Sequence, residues 1–356
     1  MAKRTKKSAK KSDTAQDGGI LIIGLDIGYG VVKAVTDDRF VSFPSVAGHA
    51  REFKFQQEQI QTWYAGDQIT DDDGTWFVGD LALKHMPPGE LLRLRGRTAN
   101  EETMGNAFRV RLAKVAIAKL VRGVENGDVV HVRLASGLPV DHMRDSQALK
   151  DALLGQHLIK TDEVEIVANI TDVMVMPQAY GAIYSQMLTE DGEINVRHTY
   201  MRTGVCDVGT YTVDIALDDD GEFISSQSGS VESGVYTAQE RIAEILERDY
   251  REKIPYSMID QTLKTGIFTA SGHPISYRKE VEEALQPLRS AALNLMSEKW
   301  QRGTTVEVIY LAGGGAELVM EDVLSAYPQT KLIKQAQLAN ARGYLNYAHF
   351  AAKHRD

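Results

Sequence analysis

The chain has 356 residues, is 43% apolar and 25% charged, and carries a net charge of −9. That balance suits a soluble protein of roughly two or three domains and excludes a strongly basic, nucleic-acid-binding body. Its single cysteine, Cys206, excludes an internal disulfide framework and a multi-cysteine metal site, and fits a reducing, cytoplasmic compartment.

In chain order, the first segment is polar and carries Lys3, Arg4, Lys6, Lys7, Lys10 and Lys11. With no apolar periodicity, residues 1–18 read as a disordered basic tail. Such a tail is either a solvated, silent segment or one that attracts DNA, an acidic partner or an anionic membrane. The apolar run after it is short and ends at Asp26, so no secretory signal is read, and no stretch approaches the ~20 apolar residues of a membrane span.

Residues 20–33, ILIIGLDIGYGVVK, read as a tight β-hairpin: an apolar run reaches Asp26, turns through Gly28, Tyr29 and Gly30, and resumes at Val31. Glycines there let backbone N–H groups approach an anion, and the acid beside them suits a metal that arrives with it. The same turn also occurs with no ligand at all. Phe40 to Phe43 is a third strand closed by Pro44, and Arg51 to Gly74 is polar and irregular, an inserted small lobe before a strand at Trp76 to Val78. Phe108, Leu112, Val115, Ala116 and Leu120 mark one face of a helix over 103–121. Strands follow at 129–134, 164–170 and 173–176, with a helix near 144–154 between them.

The second half repeats this grammar. VCDVGTYTVDIAL, residues 205–217, again runs through an acid and a glycine turn, offering Asp207, Gly209, Thr210, Tyr211 and Thr212. A third strand is expected at 224–228, a helix from about Thr237, and helices over 254–266 and 276–300, the last kinked or restarted at Pro287. A strand at 306–311 enters the turn Gly313, Gly314, Gly315, and a final helix spans about 335–350. Between the halves, Pro177 starts a helix and places Gln178 at its N-terminus. A glutamine amide is no general base, but it can orient an attacking water. No Walker A lysine motif and no G-x-G-x-x-G fingerprint is present.

The order of hairpin, P-Q helix start, second hairpin and A-G-G-G turn resembles the actin and sugar-kinase superfamily. Within it, GLDIGYGVVK, PQAYGA, QTLKTG at residues 261–266 and LANARGYLNYA are similar to ParM/StbA-type bacterial and archaeal actin-like proteins. The resemblance implies an α/β actin-like ATPase fold: two ribonuclease-H-like lobes, each with a mixed five-stranded sheet, and nucleotide in the cleft between them. It implies lobe I over 19–178 plus 335–352, with a small subdomain at about 45–78, and lobe II over 179–334, with a helical subdomain at about 251–302. It also implies ATP or ADP with Mg²⁺, bound by Asp26, Gly28, Tyr29, Gly30, Lys33, Asp207, Gly209, Thr210, Tyr211, Thr212, Gly234, Lys264, Gly313, Gly314 and Gly315. Asp26 and Asp207 would hold the metal through water, and Gln178 would position the hydrolytic water. Many relatives carry glutamate where Gln178 stands.

The activity implied is ATP-driven assembly into filaments that disassemble after hydrolysis, for plasmid or DNA segregation or intracellular organisation. Partners would be further copies of the chain and a DNA-binding adaptor protein. A small-molecule kinase on the same fold is the alternative, and it requires a carboxylate base beside an acceptor hydroxyl.

Overall fold

The computed structural model describes residues 19–53, 55, 57–94, 101–198 and 201–354. The basic tail, residues 1–18, lies outside the described residues.

The first hairpin forms as expected from β1 (Leu21–Ile27) and β2 (Val31–Val35), in a register that sets Asp26 opposite Lys33. β3 (Phe40–Pro44) continues the meander. An insert follows, made of β4 (Val46–His49), α1 (Gln57–Trp63), β5 (Gln68–Asp71), β6 (Gly74–Val78), α2 (Gly79–His85) and β7 (Leu92–Arg93). The chain returns through α3 (Glu101–Leu120), β8 (Val129–Leu138), α4 (Ser146–Leu153), β9 (Gly155–Thr161) and β10 (Glu165–Pro177). The resulting sheet has the order β3-β2-β1-β8-β10-β9-β5-β6-β4-β7.

Three details here differ from the sequence reading. The stretch 51–74 is not irregular, because Ile60 and Ile69 are buried and β5 pairs with β9, a long-range contact that local polarity conceals. The strands expected at 164–170 and 173–176 are one strand, β10, whose register on β8 shifts between Ile170 and Asp172. β9 itself went unread because Leu158 faces solvent while Ile159 is buried, a weak alternation among polar neighbours.

The second half of the chain runs α5 (Gln178–Met187), β11 (Arg202–Val208), β12 (Val213–Asp219), β13 (Glu222–Phe223), β14 (Gly229–Val231), α6 (Val235–Tyr250) and α7 (Tyr256–Thr265). It continues with the hairpin β15 (Ile267–Ala270) and β16 (His273–Ser276), then α8 (Arg278–Trp300), β17 (Val308–Ala312), α9 (Ala316–Ala326), β18 (Thr330–Leu332) and α10 (Ala339–Lys353). Its sheet is ordered β13-β12-β11-β17-β18, with β14 also on β12. The strand expected at 224–228 is instead a 3-10 turn over Ser225–Gln227, held by Ser228 Oγ, which donates to the Ile224 carbonyl at 2.9 Å and accepts from Leu217 N–H at 3.1 Å. α8 passes through Pro287 without restarting; Pro287 is exposed, so the carbonyl its ring leaves unpaired can turn to water.

The layers follow from burial. α3 and α4 cover one face of the first sheet through Phe108, Leu112, Val115, Leu149 and Leu153. α6, α8 and α9 cover the second sheet through Ile242, Leu288 and Val319. Between the sheets lie α5 and α10. Ala179, Tyr180 and Ile183 of α5 pack on Val205, Ala216 and Val308, and Tyr344 and Ala348 of α10 pack on Ala135 and Met176. The two helices meet at Gly181 and Gly343, where a Cβ on Gly343 would lie 1.6 Å from the Gly181 carbonyl oxygen. No side chain fits that approach, so the middle layer depends on both glycines.

Candidate functional site

Each sheet presents a hairpin tip, and the two tips touch. A Cβ on Gly30 would stand 2.3 Å from Thr210 Oγ1, and the rings of Tyr29 and Tyr211 meet edge to face with centroids 6.3 Å apart. Beneath them is a cavity of about 50 Å³ lined by residues that include Gly28, Lys33, Gln178, Asp207, Asp214 and Gly313. It is far smaller than the roughly 300–1,000 Å³ of ligand pockets.

The cavity is strongly charged. Asp26 is 1% exposed, accepts from Lys33 Nζ at 2.9 Å and from Gln178 Nε2 at 3.0 Å. Asp207 and Asp214 face each other across β11 and β12, and both are buried. Thr212 Oγ1 donates to Asp214 at 2.7 Å, and Asn340 Nδ2 donates to Asp207 at 2.6 Å. Burial, and then the Asp214 carboxylate, push Asp207 up to about 7, against the pull of Lys33. Burial works to lower Lys33, yet Asp26 and Asp207 together outweigh it and raise its pKa. Asp26, Asp207 and Asp214 thus gather buried carboxyl oxygens beside one ammonium, a donor set suited to a hard divalent cation. Among the described residues no three His, Cys, Asp or Glu side chains form a direct metal cluster.

Local sequence explains the positions. The hairpin turns put both acids at strand ends, and Pro177 caps α5 so that Gln178 opens it. Gly313 takes φ +87°, and a Cβ there would lie 2.2 Å from Asp207 Oδ1, so the turn after β17 can close over the acid only as glycine.

Comparison with known proteins bears on what this constellation belongs to. A family model described as "Actin like proteins N terminal domain" matches residues 24–181, and one described as "Archaeal actin homologue MreB-like, C-terminal" matches residues 205–325. The chain belongs to the actin-like proteins. An archaeal actin homolog of Thermoplasma acidophilum is 28% identical, with 92% of this chain and 99% of that protein covered. One of Thermoplasma volcanium is also 28% identical, over 92% of this chain and 99% of that one.

Among solved structures, an archaeal actin homolog in complex with ADP superposes at TM-score 0.72, with 19% identity over 92% of this chain and 99% of that one. A 15-stranded ParM filament from Clostridium botulinum superposes at 0.71, with 22% identity over 92% and 98%. This actin-like protein therefore has the two-lobed actin-like fold expected of it. Both sheets exceed the five strands expected of each: the first runs β3-β2-β1-β8-β10 and continues through β9 into the insert to ten strands, and the second has six with β14.

Of the expected site residues, Gly28, Tyr29, Gly30, Lys33, Gln178, Asp207, Gly209, Thr210, Tyr211, Thr212, Gly313 and Gly314 line the cavity of this actin-like protein. Asp26 does not line it and reaches it only through two residues that do, Lys33 and Gln178. Gly234, Gly315 and Lys264 do not line it. Gly234 supports the second tip: a Cβ there would lie 2.3 Å from the Thr210 carbonyl oxygen, and the next two N–H groups, of Val235 and Tyr236, donate to the Gly209 and Thr210 carbonyls. Gly315 donates its N–H to the Val208 carbonyl and packs on Val235. Lys264 pairs with Asp260 at 2.6 Å on α7, largely in solvent.

Asn340, Tyr344 and Gln337 escaped the sequence reading as site residues. Gln337 lines the cavity, and Tyr344 donates to the Gln178 carbonyl at 3.0 Å. Their one signal was a buried-pattern helix interrupted by polar positions. Cys206 is fully buried, and burial pushes its thiol up, as an inert core cysteine requires. A larger cavity of about 740 Å³ lies among Thr36, Arg39, Ser185, Lys334, Arg342 and His349 and shares no lining residue with the smaller one. No described helix is long and apolar enough to cross a membrane.

Proposed function

We propose that this chain is an ATP-driven filament protein that binds ATP·Mg²⁺ between its lobes, polymerises, and disassembles after hydrolysis. The observation that carries the reading is the set of three buried carboxylates and one lysine under two opposed glycine hairpins. That set offers carboxyl oxygens to a cation and an ammonium to a phosphate, and backbone from both lobes surrounds it.

Asp26 and Asp207 would hold the waters of a Mg²⁺ ion. When bound, that ion supplies charge neutralisation on the phosphates. Lys33 lies where it meets both carboxylates and a phosphate. Gln178 spends its Nε2 on Asp26, which leaves Oε1 to accept a hydrogen bond from an attacking water and so orient it. The amide supplies position without basicity, which suits slow hydrolysis timed after assembly. Because the cavity holds about 50 Å³ with the tips in contact, nucleotide entry requires the lobes to separate. Binding is thereby coupled to interlobe angle, and interlobe angle to the surfaces each subunit offers its neighbours.

A role in DNA or plasmid segregation, with a DNA-binding adaptor and a cytoplasmic location, is the cellular setting we attach to this activity. The test is pelleting and electron microscopy with ATP, ADP and a non-hydrolysable ATP analogue, beside a direct binding measurement. Filaments with ATP and its analogue support the reading, and ATP binding without filaments under all three conditions refutes it.

A further inference from the structure

Two side chains of α10 enter the first turn of α5. Both the Ala182 N–H and the Gln178 carbonyl belong to the first turn of α5, where helical geometry pairs them with each other, and each makes a further bond to α10. Here the Ala182 N–H donates to Asn340 Oδ1 at 2.9 Å, and the Gln178 carbonyl accepts the Tyr344 hydroxyl at 3.0 Å. Asn340 and Tyr344 stand one turn apart, so both reach the same turn of α5 from one face of α10.

Asn340 also reaches the other hairpin. Its Nδ2 donates to Asp207 Oδ2 at 2.6 Å. The amide's orientation follows from chemistry, because the Ala182 backbone N–H can only donate and so must meet Oδ1, which leaves Nδ2 facing Asp207. Asn340 is 4% exposed and Tyr344 fully buried, so water does not replace either bond once it is lost. The turn they hold carries Gln178, whose side chain bonds Asp26. One chain of contacts thus runs from Asp207 through Asn340 to α5, and from Gln178 to Asp26.

We infer that Asn340 and Tyr344 are positioning residues: they lock the turn bearing Gln178 to Asp207, so the water-orienting amide and the cation-facing carboxylate keep their spacing as the lobes move. This rests on the ATP-cleft reading above. A merely structural role for Asn340, as an anchor of α5, would need its bond to Ala182 and nothing more. Asn340→Asp separates the two roles. It keeps an acceptor for the Ala182 N–H and sets a carboxylate against Asp207 where a donor stood.

The test uses the full chain and three measurements: affinity for a fluorescent ATP analogue with Mg²⁺, steady-state phosphate release, and hydrogen exchange of the Ala182 amide without nucleotide. Asn340→Asp is expected to lower kcat by at least about tenfold, leave KM within about threefold, and leave Ala182 exchange unchanged. Asn340→Ala should lower kcat similarly and speed Ala182 exchange. Tyr344→Phe removes one buried oxygen with little change of shape and covers the case in which an Asn340 variant does not fold. It should lower kcat about three- to tenfold at unchanged KM. Unchanged kcat in folded Asn340→Asp, or a raised KM with normal kcat in any folded variant, overturns the inference. If the unaltered chain binds and hydrolyses ATP while the variants match it, the positioning role falls and the cleft reading stands. If the unaltered chain binds no ATP, both fall.

Discussion

Asp207 faces Asp214 across β11 and β12 at the place where the first hairpin pairs Asp26 with Lys33. The two hairpins are alike in backbone and opposite in electrostatics: one acid has a cation across the ladder, the other has a second acid. Burial first, and then this second acid, raise Asp207 to about 7.

A pH dependence follows. Folded Asp207 holds its proton more tightly than an unfolded aspartate of pKa about 3.9, so ionisation works against the fold. Its contribution is neutral below about pH 4 and increasingly destabilising as pH rises toward 7. Asp207→Asn should therefore gain stability over the unaltered chain at pH 8 relative to pH 5, by a few kcal/mol at most. Urea midpoints of the nucleotide- and Mg²⁺-free proteins measure this. An equal difference at the two pH values would show that Asp207 is not the group responsible.

Replacing Gln178 with alanine removes the water-orienting amide and one of the two donors to Asp26. Phosphate release should slow by about 10- to 100-fold, with nucleotide affinity little changed, and any filaments should persist longer after ATP is added. Phosphate-release and pelleting time courses read both quantities. Unaltered release would remove Gln178 from the mechanism.

The contact of Gly30 with Thr210 makes the closed cleft sensitive to one methyl group. Gly30→Ala forces a Cβ to within 2.6 Å of three Thr210 side-chain atoms, so the tips must part. The ligand-free protein should lose about 1–3 kcal/mol and become more extended in small-angle scattering. Thr210→Gly in the same chain should restore most of that loss, and additive effects would show that the two residues do not meet.

The insert is held to α3 by Arg111, which is 5% exposed, bonds Asp71 at 2.7 Å and Asp73 at 3.2 Å, and stacks 3.9 Å from the Trp76 ring. Arg111→Lys keeps the charge and loses the planar fork and stacking surface. It should cost about 1–2 kcal/mol, and Arg111→Ala about 3–5 kcal/mol, because Asp71 is left without its cation. Denaturant unfolding checks the energies, and faster proteolysis between His49 and Arg93 should accompany both variants.

Much of the site was legible in sequence because its parts are local. A strand that ends in an acid and turns through glycine, a proline that opens a helix and a triple-glycine turn each occupy a few consecutive residues, and their chain order identified the fold. The apolar spacing of α3, α6, α8 and α10 was legible for the same reason. The insert, β9 and the bulge in β10 were not, because β5 and β9 are stabilised by pairing across about ninety residues of chain, and neither strand has a strong alternation of its own.

What the sequence determined by itself was which residues could meet phosphate and metal: Asp26, Gly28, Gly30, Gln178, Asp207 and the glycines after β17. The tertiary structure decided which of them come together around one cavity. It paired Lys264 with Asp260 on α7, turned Gly234 and Gly315 into supports of the second tip, and bonded Asn340 to Asp207 and Tyr344 to the Gln178 carbonyl. The physical reason is the crossing of α5 and α10 at Gly181 and Gly343. There two backbones approach too closely for any Cβ, and polar groups from far apart in the chain exchange hydrogen bonds that no local pattern specifies.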